Sequence, residues 1–207
     1  MAGSGSILGA IAGPMGEFIL LLLGTIRLRP YVFFFFGVFL LAAAADLGWR
    51  RAGAFTALAW LTAFLAEYSS TRTGIPFGLY HYTGATRGQE LYVANVPFMD
   101  SLSFTFLAYG AFSLARLLGG ARPASRLRLA FWSGLFMMLI DVVIDPLAVR
   151  GDRWFLGKIF YYPEGGAYFG VPLSNFLGWA LVGWVAVGSY LWAAPGRLEA
   201  GDPRWGA

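Results

Sequence analysis

Leu129-Ala-Phe-Trp-Ser-Gly-Leu-Phe-Met-Met-Leu-Ile-Asp141-Val-Val-Ile-Asp145-Pro146-Leu-Ala-Val149 is the run whose reading decides the fold class. Coiled as an α-helix at about 1.5 Å per residue, it is about 31 Å long, close to the thickness of a bilayer's hydrocarbon core. Five other runs have the same character, giving spans at about 7–26, 31–48, 52–66, 97–118, 129–149 and 171–194. The reading is an all-α, polytopic transmembrane helical bundle forming a single integral membrane domain over residues 1–207. Composition agrees, since 58% of residues are hydrophobic and only 13% charged. A soluble domain carries about 25% charge to coat its surface. The absence of cysteine excludes disulfides, thiolate metal sites and thiol nucleophiles. Gly13, Pro14 and Glu17 interrupt the first run. No basic residue precedes it in Met1 to Ser6, so it reads as a retained helix rather than a cleaved signal.

The net charge of +4 is spread as small arginine clusters beside the apolar runs. That pattern speaks of topology and lipid-headgroup contact and against nucleic acid. Alternating spans place eight Arg and Lys residues on the N-terminal side and seven on the other, a lean toward a cytoplasmic N-terminus too small to assign orientation. Two longer polar segments, 67–96 and 150–170, are rich in Gly, Pro and aromatic residues where tight joints would suffice. Six alternating spans bring both segments to one membrane face. The polar residues of interest therefore converge there.

Asp141 and Asp145 lie inside an apolar helix, where each insertion costs roughly 2.5–3.5 kcal/mol. Their i, i+4 spacing puts both on one face, and Pro146 disfavours helical geometry at Asp145, predicting a kink or an end there. Two carboxyls this close in a poorly hydrated site resist joint ionisation, so one is expected to keep a proton, as a general acid requires. The plainer reading is a pair satisfied by Arg, Trp or Tyr partners. Glu67 closes the third span, where a carboxylate opposes the helix dipole and needs a partner or a role. Tyr80 and Tyr82 add aromatic faces with hydroxyl tips, although interface tyrosines are ordinary anchors. Asn175 projects an amide into the bundle about a turn below the surface, and Gly178 permits close helix contact. Trp154, Tyr168 and Trp179 either line an apolar cavity or simply pack. Glu17, Asp46 and Asp100, nearer helix ends, are expected to be hydrated or hydrogen-bonded. His81 is the only histidine, too few for a di-iron site. Asp141-x-x-x-Asp145 lacks the second acidic motif that Mg²⁺-diphosphate binding needs, and no nucleotide-binding glycine pattern occurs. Neither metal nor cofactor is expected.

Glu67, Gly74-Ile-Pro-Phe-Gly-Leu-Tyr80-His-Tyr82, Val96-Pro97, Asp141-Val-Val-Ile-Asp145-Pro146, Trp154 and Tyr168-Phe-Gly-Val-Pro172-Leu-Ser-Asn175-Phe-Leu-Gly178-Trp179 occur in this order. Together they resemble the membrane carotenoid-biosynthesis family whose characterised members are carotenoid 1,2-hydratases. The resemblance covers about residues 60–185, while 95–103 departs from the family's pattern. It implies a carotenoid or isoprenoid lipid substrate, a plasma (inner) membrane setting in a bacterium, membrane lipids as surroundings and other carotenoid-pathway enzymes as partners. The reaction implied is addition of water to the terminal double bond of an acyclic end group. The expected roles are Asp145 or Asp141 as proton donor, Glu67 or the second Asp activating water, Asn175 orienting it, and aromatic faces steadying a tertiary cation. An end-group cyclase or isomerase, a non-catalytic isoprenoid carrier and a metal-dependent prenyltransferase stand as alternatives.

Overall fold

The computed structural model describes residues 4–119, 125–151 and 157–193, with side chains from residue 13 onward. Six helices follow the six expected segments: α1 (Ser4–Leu28), α2 (Pro30–Leu47), α3 (Trp49–Thr73), α4 (Phe98–Gly119), α5 (Arg126–Ala148) and α6 (Leu173–Ala193). Gly13, at φ 66° and ψ 180°, interrupts α1 just before Pro14. Among the described residues, α2, α4, α5 and α6 are long and apolar enough to cross a bilayer.

The packing is inverted relative to a water-soluble protein. Phe34, Leu41, Leu65, Phe131, Val143 and Leu177 face outward, while Glu67, Ser101, Thr105, Ser133, Asp141 and Asn175 are buried. Apolar side chains cost nothing against lipid, whereas polar ones need partners inside the bundle. The chain is an integral membrane protein.

α5 and α6 form the most extensive helix pair. Small residues permit it: a Cβ on Gly134 would stand 2.3 Å from the Ala180 carbonyl oxygen. α4 lies against α2, α3 and α5, and α3 against α6. At the end of α2 away from the long polar segments, Asp46 accepts from Tyr109 Oη at 3.0 Å and pairs with Arg116, binding α2 to α4.

One helix end departs from expectation. α3 runs past Glu67 to Thr73, capped by Gly74 at φ 79° whose N–H reaches Ser70 O at 3.0 Å. Glu67 thus lies inside the helix rather than at its end, which corrects the dipole argument for it. Hydropathy marked where the apolar stretch stops, but a helix continues through polar residues, and Arg72 in the last turn suits the dipole. α5 continues through Pro146 to Ala148, within a residue of the expected span end at 149, so of the kink or end expected at Asp145 the end does not occur.

The two polar segments meet, as span parity requires. Strand β1 (His81–Tyr82) pairs antiparallel with β4 (Phe160–Tyr161). Thr83 extends the link, its N–H to Ile159 O at 2.8 Å and its hydroxyl to Lys158 O at 3.0 Å. β2 (Tyr92–Val93) and β3 (Val96–Pro97) form a short hairpin that leads into α4. The first segment is also tied to the α1–α2 junction. Arg29 and Glu90 form a buried ion pair at 3.3 Å, and Leu91 N–H donates to Thr25 Oγ1 at 2.8 Å.

Candidate active site

Four helices deliver acidic or amide side chains to one level of the bundle. On α3, Glu67 shares its buried face with Ala59, Ala63 and Ser70, and its Oε2 accepts a hydrogen bond from Ser101 Oγ of α4. Asp100 stands in the first turn of α4, where the positive end of the helix dipole favours a carboxylate. Its Oδ2 accepts from Tyr82 Oη at 2.7 Å, and Tyr82 Oη lies 3.3 Å from Tyr80 Oη. On α5, Asp141 and Asp145 are buried, and Asn175 on the first turns of α6 faces both. The Asn175 amide nitrogen donates to Asp141 Oδ2 at 2.6 Å and to Asp145 Oδ2 at 2.8 Å. Both amide hydrogens are thereby committed, leaving Asn175 Oδ1 as an acceptor. Among the described residues, the buried Asp141 Oδ1 has no hydrogen-bond partner.

These groups border two cavities that share a wall. The smaller, about 40 Å³, is lined by Glu67, Asp100, Asp145 and Asn175 together with Phe77, Tyr80, Phe104, Phe160, Tyr162 and Trp179. A single water needs about 10–15 Å³ of such space, so this cavity has room for water. The second, about 350 Å³, is apolar, walled by Tyr31, Phe35, Met99, Phe106, Leu107, Ile144, Ala148 and Ile159. Asp100, Phe104, Asp145, Phe160 and Trp179 line both. Phe35 is half exposed on the outside of the bundle, so the larger cavity reaches the lipid-facing surface.

Aromatic faces surround the shared wall. Trp179 stacks on Phe104 at 4.2 Å between centroids, Phe77 lies 6.3 Å from Trp179, and Tyr80 meets Phe160 and Tyr162 at 5.7 and 5.8 Å. Burial pushes the Tyr80, Tyr82 and Tyr162 phenols above their ordinary range, and the neighbouring carboxyls add to the effect. All three are neutral hydrogen-bonding groups near pH 7.

Of the residues singled out from the sequence, Glu67, Tyr80, Asp145, Asn175 and Trp179 line the small cavity, and Asp141 and Tyr82 stand directly behind them. Tyr168 is placed elsewhere, on the surface against Phe169 and Phe176 beside Arg150. Trp154 lies outside the described residues. Asp46 is hydrogen-bonded at the far end of the bundle, and Glu17 is exposed. Asp100 is hydrogen-bonded, by Tyr82, as one of its two expected states had it, and it also lines the cavity wall. Ser101, Phe104, Phe160 and Tyr162 also escaped the sequence reading. The available signal for Asp100 was an acid in the opening turn of an apolar helix that starts on the converging face. Among the described residues, no three His, Asp or Glu side chains gather in a metal-holding group.

The pattern of the carotenoid biosynthesis protein family matches residues 16–202. Bisanhydrobacterioruberin hydratase from Haloarcula japonica is 36% identical over 164 residues, covering 77% of this chain and 53% of the relative. The chain thus spans about half the length of that curated relative. No solved structure matches the chain.

Proposed function

This chain belongs to the carotenoid biosynthesis protein family, and on that footing we propose that it hydrates the terminal C1=C2 double bond of an acyclic carotenoid end group to a tertiary alcohol. The observation that carries the reading is the shared wall. A chamber sized for water and a chamber sized for hydrocarbon meet at Asp145, under the faces of Phe104 and Trp179.

The larger chamber suits the end of a polyisoprenoid. A protein cavity of about 150 Å³ takes one benzene, so about 350 Å³ takes roughly fourteen carbons, two to three isoprene units. The rest of the polyene lies beyond Phe35, in the bilayer. The end group enters sideways from lipid, and its terminal alkene comes to rest against the acidic wall.

Asp141 and Asp145 share one amide donor, and one proton between them relieves the repulsion that two buried anions would feel. Asp145 gives that proton to C2, the less substituted carbon, leaving a tertiary cation at C1. Phe104, Trp179 and Tyr80 present π faces to it, each worth about 0.5–2 kcal/mol when well placed. Since about 1.4 kcal/mol is a factor of ten, the rings cannot supply the whole acceleration and the positioned acid dominates. Water held in the small chamber by Glu67 and Asn175 Oδ1 then adds to C1. The scheme uses carboxyls, phenols and water, with no redox cofactor, and its setting is the plasma membrane, beside other enzymes of the pathway.

Pigment analysis of a carotenoid-producing host with and without this chain tests the reading. The expected product is heavier than its precursor by one water. A product of unchanged mass would mean that the cation is quenched by proton loss, as in a cyclase or isomerase. Unchanged carotenoid that copurifies with the chain would mean binding without chemistry.

A further inference from the structure

Water that adds to a cation must shed a proton, and the donor's own helix is not the only place to put it. We propose that Asp100 is a further catalytic residue, the base that takes this proton while Asp145 on the neighbouring helix serves as the acid. The proposal rests on the hydration reading and assigns the second half of that reaction.

Three observations lead to it. Asp100 lines both chambers, whereas Glu67 borders only the smaller one, so Asp100 stands where water and alkene meet. One of its oxygens, Oδ2, is engaged by Tyr82 Oη at 2.7 Å, and no described residue donates to the other. A neutral phenol donating to one oxygen steadies the carboxylate and leaves the second oxygen open to a guest. The two acids also have unequal surroundings. Asp145 shares a single amide with Asp141, an arrangement that keeps a proton on the pair. Asp100 has its own donor and the N-terminal end of α4. Asp145 shares its proton with a neighbour and Asp100 has donors of its own for the ionised form, which divides the two as acid and base.

The step balances. The Asp145 O–H bond breaks as the C2–H bond forms, leaving an Asp145 carboxylate and a cation at C1. The water oxygen bonds to C1, one water O–H bond breaks, and that proton goes to Asp100. After the alcohol leaves, the proton returns from Asp100 to Asp145 through water in the small chamber that both line. The net change is alkene plus water to alcohol.

The division of labour predicts a separation that a merely structural role for Asp100 would not produce. Without a base the cation still forms, but it collapses by returning a proton to Asp145. Purified full-length protein is incubated with lycopene in D₂O, and both alcohol and deuterium in recovered lycopene are measured. Asp100→Asn is expected to lower alcohol formation by about a hundredfold or more while deuterium exchange into the terminal positions persists near the parent's level. Asp145→Asn should lose both. Alcohol formation at the parent's rate in Asp100→Asn overturns the proposal, and so does loss of alcohol and exchange in equal measure. Should Asp100→Asn fail to yield folded protein, Tyr82→Phe, which removes only the hydroxyl on Asp100, is read instead. It should lower alcohol about tenfold with exchange retained, and equal effects on the two overturn the proposal. A parent protein that yields neither alcohol nor exchange contradicts the hydration reading itself.

Discussion

Asn175 gives both of its amide hydrogens to carboxyl oxygens, one on Asp141 and one on Asp145, and so ties the two to α6. Replacing it with Leu, close in volume, leaves two buried carboxyls without a donor. The expected cost is about 1–3 kcal/mol of stability, read as a lower unfolding temperature in detergent, with loss of alcohol product. Asp145→Asn keeps the shape and a hydrogen-bonding amide but removes the transferable proton. It should lower turnover by about 10²–10⁴-fold with unfolding temperature close to the parent's, and full activity in this variant would remove Asp145 from the scheme. Both aspartates were legible in the sequence because charge inside a spanning helix is expensive and demands a reason. Asp100 was not, because an acid in the first turn of a helix has a ready explanation in hydration and the dipole. The Tyr82 hydroxyl and the two chambers that Asp100 lines show that it faces inward. Tyr168 and Tyr162 show the same limit, since two tyrosines six residues apart look alike in sequence, yet one is buried on the cavity wall and the other sits on the surface.

The elements of the bundle were legible because hydropathy and length mark a membrane helix strongly. Their ends were not, since hydropathy tracks the lipid boundary and not the hydrogen-bond ladder that carries α3 on to Thr73. The pairing of β1 with β4 had no sequence signal, being two residues a side and joining segments far apart in the chain. That pairing and the Arg29–Glu90 latch position the loops that roof the site. Arg29→Met leaves Glu90 a buried charge without its cation, which should cost about 3–5 kcal/mol. The double change Arg29→Met with Glu90→Met should recover most of that loss in a thermal unfolding series. Equal destabilisation in single and double variants would show that the latch acts through something other than its charges. In the α5–α6 seam, Gly134→Val places side-chain atoms against the Ala180 carbonyl. Overpacking of this kind should lower stability by about 1–3 kcal/mol, measured in the same series.

At the scale of the whole molecule, convergence of the two polar segments followed from counting spans, but the chambers did not. A cavity is a property of how side chains from five elements fail to fill space together, and no single stretch of sequence carries it. The lateral chamber makes its own prediction. Ile144→Trp fills the apolar cavity without touching a hydrogen bond, so alcohol formation should fall at least about tenfold while the protein stays folded. Unchanged turnover would mean that the end group does not lie there. The account as a whole depends on the new oxygen coming from water that meets a cation. Purified protein incubated with an acyclic carotenoid in ¹⁸O-labelled water under ordinary oxygen should give an alcohol carrying the label. An unlabelled alcohol, with label arriving instead when ¹⁸O₂ is supplied, would contradict it.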